Sequence, residues 1–270
     1  MRQYRTALVT GASGGLGAEF ARELAARGSA LVLVARDEVR LEELARELRK
    51  RHGVDVAVMS ADLSDPAGLA RVERRLSAEE PPIDLLVNNA GVIGEVGPFA
   101  TRDPDTEERN LRLNLLAVMR LTHAAVGGMA RRRHGGVINV SSAMGFLQIP
   151  GGSSYAAAKS FVTSLSQIVH SEVRLLGVHV LALCPGSTRT NLHRSGTRRG
   201  WTLGRVREPG FVVREALAAL AAGRPVHVPG GEYKLKVFLA RHAPRRLVNR
   251  LLYPGWDVQT SRRLAESLDA

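Results

Sequence analysis

Short, continuously apolar runs alternate along the chain with longer stretches in which apolar residues return every third or fourth position. The runs cover residues 7–10, 30–35, 54–60, 83–88, 136–141, 179–184 and 226–228. Their length suits strands, and their lack of polar alternation suits strands covered on both faces. Between them Leu16, Phe20 and Leu24 keep helical spacing up to a stop at Gly28, as do Leu41, Leu44, Ala45 and Leu48. Asp65-Pro66 starts another helix with Leu69, Val72 and Leu76 on one face, and residues 105–129 and 153–176 read as long helices. This alternation predicts an α/β fold, a Rossmann-type doubly wound parallel sheet of about seven strands with helices on both faces.

Composition adds limits to that picture. At 270 residues, 44% hydrophobic and 24% charged, the chain suits one soluble domain over 1–270. Within it, 231–270 form a C-terminal helical extension. Residues 187–210 stand apart, because Arg189, His193, Arg194, Arg198, Arg199, Arg205 and Arg207 share them with glycines and Trp201. They predict a mobile excursion after the sixth strand, a lid over a substrate cleft. No segment reads as long and apolar enough to span a bilayer, and Gly11 and Gly15 cut the N-terminal apolar run too early for a signal peptide. A cytoplasmic protein is expected. The single cysteine, Cys184, excludes an intrachain disulfide, reads as a buried strand-end residue, and leaves no metal site to expect.

A formal charge of +12 raises the question of a polyanionic partner. Only four of the 38 basic residues are lysine and aromatics make up 4%, which reads as codon bias without a stacking platform, so no nucleic-acid partner is predicted. The C-terminal part does carry a basic amphipathic pattern. Lys234, Lys236, Arg241, His242, Arg245, Arg246 and Arg250 alternate with Leu235, Val237, Phe238, Leu239, Leu247, Val248 and Leu251, so a membrane-surface or partner-binding role for this helix is an alternative from another class.

The chemistry-bearing residues fall at strand ends. Gly11, Ser13, Gly14, Gly15, Leu16 and Gly17 lie between the first strand and first helix, where backbone amides and the helix's positive end can face a pyrophosphate. At the tip of the second strand the neutral Ala35 is followed by Arg36, whose guanidinium can pair with a 2′-phosphate; NADP(H) is favoured. NAD(H) stays open if Asp37 faces the ribose instead. Asp62 and Leu63 can meet the adenine edge, and Asn88, Asn89, Ala90 and Gly91 can shape the cleft floor.

Ser142 ends the fifth strand, with Ser141 as its rival, and Tyr155 and Lys159 share one face of the following helix. An ammonium beside the phenol predicts a lowered phenol pKa and a general acid or base near working pH. Ser142 can hydrogen-bond a developing alkoxide. Pro185, Gly186, Thr188 and Thr190 follow the sixth strand, where a nicotinamide would end up.

Together these motifs resemble the classical short-chain dehydrogenase/reductase family: the loop from Thr10 to Gly17, Asn88 to Gly91, Asn114, Ser142, Tyr155 with Lys159, and Pro185-Gly186 with Thr190, in family order from residue 6 to 190. The resemblance implies an NAD(P)-dependent enzyme acting on CH–OH groups, an NADP(H)-dependent oxidoreductase interconverting a ketone or aldehyde and an alcohol. By resemblance Asn114 holds a water that relays protons to Lys159, and Lys159 holds the nicotinamide ribose. A 3-oxoacyl reductase acting on carrier-protein or CoA thioesters is the alternative, motivated by the arginines of 189–207. The resemblance also implies a homodimer or homotetramer built on the two long helices.

Overall fold

The protein is described by a computed structural model over residues 4–147, 151–190, 204–244, 247–248, 259, 261–262 and 264–266. Its strands are β1 (Thr6–Thr10), β2 (Ala30–Ala35), β3 (Val56–Ser60), β4 (Leu85–Asn88), β5 (Gly135–Val140), β6 (Val178–Leu183) and β7 (Val226–His227). They form one parallel sheet in the order β3-β2-β1-β4-β5-β6-β7. β1 is central: Leu8 pairs with Val32 on one side and Leu86 on the other. From β1 the chain winds outward to β3, then returns to place β4 against β1. That reversal opens a crevice beyond the carboxyl ends of β1 and β4.

Helices cover both faces, which is why the strands are apolar throughout. α1 (Gly15–Ala25), α2 (Glu38–His52) and α8 (Pro209–Ala221) bury Phe20, Leu41, Leu48 and Leu220 on one face. α3 (Pro66–Ser77), α5 (Ala117–Arg131) and α7 (Ser153–Val173) cover the other with Val72, Leu121, Met129 and Val173. A third cluster joins α6 (Met144–Leu147) to α9 (Gly231–His242) through Leu147, Tyr233 and Val237, with the buried, unbonded-to-disulfide Cys184 beneath. Asp65 starts α3 as its sequence suggests, accepting from the Gly68 amide at 2.8 Å with Pro66 in the first turn.

The long helix expected over 105–129 differs. It begins one residue earlier, at α4 (Pro104–Leu111), because Asp103 caps it by accepting from the Thr106 amide at 2.9 Å. It then widens into a π turn over Arg112–Leu116 before α5. Taken as one run, Pro104–Arg131 is long and apolar enough to cross a membrane by length and composition, which corrects the sequence expectation. Its buried Ala117, Leu121, Ala125 and Met129 pack into the sheet, the behaviour of a core helix.

Of the expected excursion, residues 191–203 lie outside the described residues, among them His193, Arg194, Arg198, Arg199 and Trp201. Its two ends are paired: Arg189 N donates to Arg207 O and Arg207 N to Ser187 O, each at 2.9 Å. Arg245, Arg246, Arg250 and Leu251 of the C-terminal extension also lie outside the described residues.

Candidate active site

The crevice holds a cavity of about 620 Å³ that runs from the glycine loop past the tip of β2 to Tyr155. That volume suits a cofactor-sized ligand. At its glycine-loop end lie Gly11, Ser13, Gly14, Gly15 and Leu16, with no acidic residue in the first turn of α1 to oppose an anion. Gly11 holds φ +64°, a left-handed conformation, and a Cβ there would sit 2.8 Å from Asn89 Nδ2. Gly17 does not line the cavity. A Cβ on it would stand 2.2 Å from Gly11 O, so it serves close packing of helix on loop rather than ligand contact.

The strand ends are stitched together beneath that loop. Thr10 Oγ1 accepts from the amides of Asn89 (2.9 Å) and Ala90 (3.0 Å), and Asn89 Nδ2 donates to Thr10 O at 3.0 Å. Asn89, Ala90 and Gly91 thereby form the floor, while Asn88 turns into the core and donates to Asn139 Oδ1 at 2.9 Å.

At the far end the exposed Arg36 guanidinium approaches Asp62 Oδ2 at 3.9 Å. Asp37 is otherwise engaged: it caps α2 by accepting from the Arg40 amide at 3.1 Å, and its carboxylate meets Arg40 Nε at 3.2 Å. Arg36, Asp37 and Arg40 all line the cavity, so two guanidinium groups flank this end. Arg40 escaped the sequence reading, although it follows Arg36 by one helical turn. Asp62 Oδ1 accepts from the Ser64 amide (2.8 Å) and hydroxyl (2.6 Å). Burial pushes the Asp62 carboxyl up, but the Ser64 bonds and the Arg36 charge outweigh it and hold it below the ordinary value. Leu63 lines the cavity beside it.

Ser142, Tyr155, Lys159 and Asn114 meet at the opposite end. Ser142 stands beside Tyr155 in the cavity, its Oγ accepting from the Met144 amide at 3.1 Å. Ser141 is committed elsewhere, its hydroxyl donating to Lys159 O at 2.7 Å. Lys159 Nζ lies 5.6 Å from the Tyr155 ring centroid and donates to Val140 O at 2.9 Å. Burial lowers the Lys159 ammonium to about 8.

The phenol departs from expectation. Its enclosure by protein raises its pKa and only the Ser142 side chain opposes the rise. The Lys159 ammonium, bonded to the Val140 carbonyl, does not bring the phenol below its ordinary value. Tyr155 therefore stays protonated and able to donate through neutral pH.

Asn114 sits in the π turn, almost fully buried, with Nδ2 donating to Val92 O (2.8 Å) and Oδ1 accepting from Val92 N (3.2 Å). The extra residue of a π turn rotates the helix so that this amide reaches the β4 exit. A Cβ on Gly91 would stand 2.7 Å from Asn114 Oδ1, so glycine permits that approach.

Pro185, Gly186, Thr188 and Thr190 complete the rim. Tyr233 of α9, unread in the sequence, joins them: its hydroxyl accepts from Ser187 N and donates to Ser187 Oγ, both at 3.1 Å. Nothing local marks it, since it meets Ser187 only through the tertiary fold. Beyond Tyr155 the wall is apolar, built by Val92, Ile93, Ala143, Met144, Leu147 and Tyr233. The outer face of α9 exposes Leu235 and Phe238, with Lys234 and Arg241 exposed on the same helix.

A family model described as short chain dehydrogenase matches residues 5–199. The chain belongs to that family. A short-chain dehydrogenase from Sphingobium yanoikuyae, solved in complex with NADPH, superposes with a TM-score of 0.77 at 36% identity, over 98% of this chain and 96% of that one. A bulky-bulky ketone specific alcohol dehydrogenase from Comamonas testosteroni gives 0.77 at 36% identity, over 91% and 99%. The very-long-chain 3-oxoacyl-CoA reductase of Rattus norvegicus is 32% identical over 189 residues, 69% of this chain. That match spans 60% of the rat protein's length. As a short-chain dehydrogenase the protein is an oxidoreductase acting on alcohol and ketone groups.

Proposed function

We propose that the protein is an NADP(H)-dependent reductase of apolar ketones, with Tyr155 as the proton donor. The observation that carries this reading is the meeting of Ser142, Tyr155 and Lys159 at one end of a cavity whose other end is flanked by Arg36 and Arg40. The residues fit the cofactor: the glycine loop would hold the pyrophosphate, Arg36 and Arg40 the 2′-phosphate, Leu63 and Ala90 the adenine side, and Lys159 the nicotinamide ribose. Thr188 and Thr190 would hold the carboxamide. When bound, NADPH supplies the hydride that reduces the carbonyl carbon.

Tyr155 gives its phenolic proton to the substrate oxygen, and Ser142 hydrogen-bonds the same oxygen as it gains negative charge. A phenol pKa raised by burial keeps Tyr155 protonated at neutral pH, the form that reduction requires. Lys159, charged below about pH 8, steadies the phenolate left behind. Asn114 lies within the π turn behind this pair and would place a relay water. Turnover of NADPH with a panel of aryl and alicyclic ketones tests the reading. Activity retained by Tyr155→Phe above a few per cent with the best ketone overturns the mechanism.

A 3-oxoacyl thioester is the second substrate reading, favoured by the rat relative and by an apolar wall able to line an acyl chain. Against a carrier-protein surface, Arg189 is paired with Glu208 at 3.1 Å and the Arg207 guanidinium stacks on Phe211. Steep salt dependence confined to acyl-carrier substrates would favour it. We propose further that the chain works in the cytoplasm and assembles as a homo-oligomer through the exposed Leu116, Phe161 and Ile168 of its long helices. Light scattering tests the assembly. A bilayer role for Leu235 and Phe238 would show as flotation with anionic vesicles.

A further inference from the structure

Two segments meet beside the Tyr155 end of the cavity. One, residues 92–103, follows Gly91 and carries Val92 and Ile93 into the wall. The other ends at Gly151-Gly152, just before α7 places Tyr155 in its first turn. Residues 92–103 carry one short helical turn, Phe99–Thr101, and no strand ladder, so their backbone finds partners elsewhere.

Arg102 supplies them. Its guanidinium, 4% exposed, donates to Gly97 O at 2.8 Å and to Gly151 O, which lie on the two segments. The same guanidinium is paired with Glu107 of α4, 11% exposed, whose two carboxylate oxygens stand 3.3 Å from Nη1. A direct bond, Gly97 N to Gly151 O at 3.0 Å, lies beside it. Arg102 Nε finds no partner among the described residues. Glu107 and Tyr155 border one small depression together with Ile93, Asn114 and Ser154.

A buried ion pair with an unsatisfied donor is a poor way to gain stability, since desolvation offsets most of its attraction. Its value lies in fixing one arrangement of the groups around it. Lysine could neutralise Glu107, but only the planar fork can hold Glu107 and two carbonyls at once.

We propose that Arg102 is a positioning residue: tied to Glu107, it clamps the 92–103 segment to the Gly151 turn and thereby sets the distance between the Val92–Ile93 wall and Tyr155. This sets how firmly a bulky ketone is held against the proton donor. The substrate consequence rests on the reductase reading above; the clamp itself does not.

The test compares Arg102→Met, Arg102→Lys and Glu107→Gln with the parent in three measurements. Hydrogen exchange needs no substrate: faster exchange in 92–103 and 151–156 alone supports the clamp. Exchange that is unchanged there, or raised across the whole sheet, overturns it. NADPH affinity by fluorescence should stay within twofold, because the clamp touches none of the residues proposed to hold the cofactor. With a diaryl ketone, KM should rise tenfold or more in Arg102→Met, with kcat within threefold, and less in Arg102→Lys. An unchanged KM, or KM and NADPH affinity worsening together with an early thermal transition, overturns the positioning role. A parent that reduces no ketone defeats the reductase reading, and the exchange measurement then judges the clamp alone.

Discussion

The two ends of the cavity are built by different means. At the glycine-loop end, loop and floor are two runs of consecutive residues, 79 positions apart in the chain but joined by several bonds: Thr10 Oγ1 accepts from the amides of Asn89 and Ala90, Asn89 Nδ2 donates to Thr10 O, and Gly17 lets α1 press on Gly11. At the Tyr155 end separate segments are joined by fewer contacts, Arg102 and Gly97 N to Gly151 O and Tyr233 to Ser187. The first end is a rigid frame for a ligand of fixed shape. The second is an assembly of few tethers, and loops of this kind are where one frame is adapted to different substrates.

The largest expected effect separates chemistry from binding. Tyr155→Phe should lose on the order of 10²- to 10⁴-fold in kcat while NADPH affinity, by fluorescence titration, stays near that of the parent. The complementary change, Arg36→Asp, should weaken NADPH binding about 10- to 100-fold, the loss of a charge-assisted contact. At saturating NADPH its kcat should stay within a few-fold. Tighter NADPH than NADH binding in Arg36→Asp would show that Arg36 is not the discriminating group.

The same contrast decides what could be read from the chain. Strands, glycine loop and the Tyr155–Lys159 pair are local patterns, so seven strands and the placing of that loop and pair on one cavity were legible. Tyr233 and Arg102 were not, because their partners lie 46 and 49 residues away and no spacing links them. The π turn at Arg112–Leu116 was hidden for another reason: its residues keep a good helical pattern, and the bulge answers the need to bring Asn114 to Val92. The Tyr155 shift reversed because charge spacing was legible and burial was not.

Lys159 offers a smaller effect at the same end. Folding moves its ammonium from 10.5 to about 8. Between those values the unfolded chain holds the proton and the folded one has lost it, so stability rises with pH from about 8 toward 10.5. Below about pH 8 both states are charged and the full cost of burial applies. Lys159→Met, without activity, should therefore be the more stable protein at pH 7, by roughly 1–2 kcal/mol after loss of the Val140 bond. Its melting temperature by differential scanning fluorimetry should exceed the parent's by about 2–8 °C, and the gap should close toward pH 10. In the parent, kcat/KM for reduction should fall as pH passes about 8 and the ammonium discharges.

Tyr233→Phe should give the smallest change and the finest measure of the tethered end. It removes only the hydroxyl that bonds Ser187, leaving the ring packed over Gly186. One neutral hydrogen bond is worth about 1 kcal/mol, roughly a fivefold change. Because Ser187 lies between Gly186 and Thr188 on the cavity rim, that change should fall on both nicotinamide placement and the apolar wall. KM for ketone and Kd for NADPH should each rise two- to fivefold, unlike Arg102→Met, which should move KM alone. If Tyr233→Phe moved only the ketone KM, α9 would belong to the substrate wall and not to the hinge between the two ends.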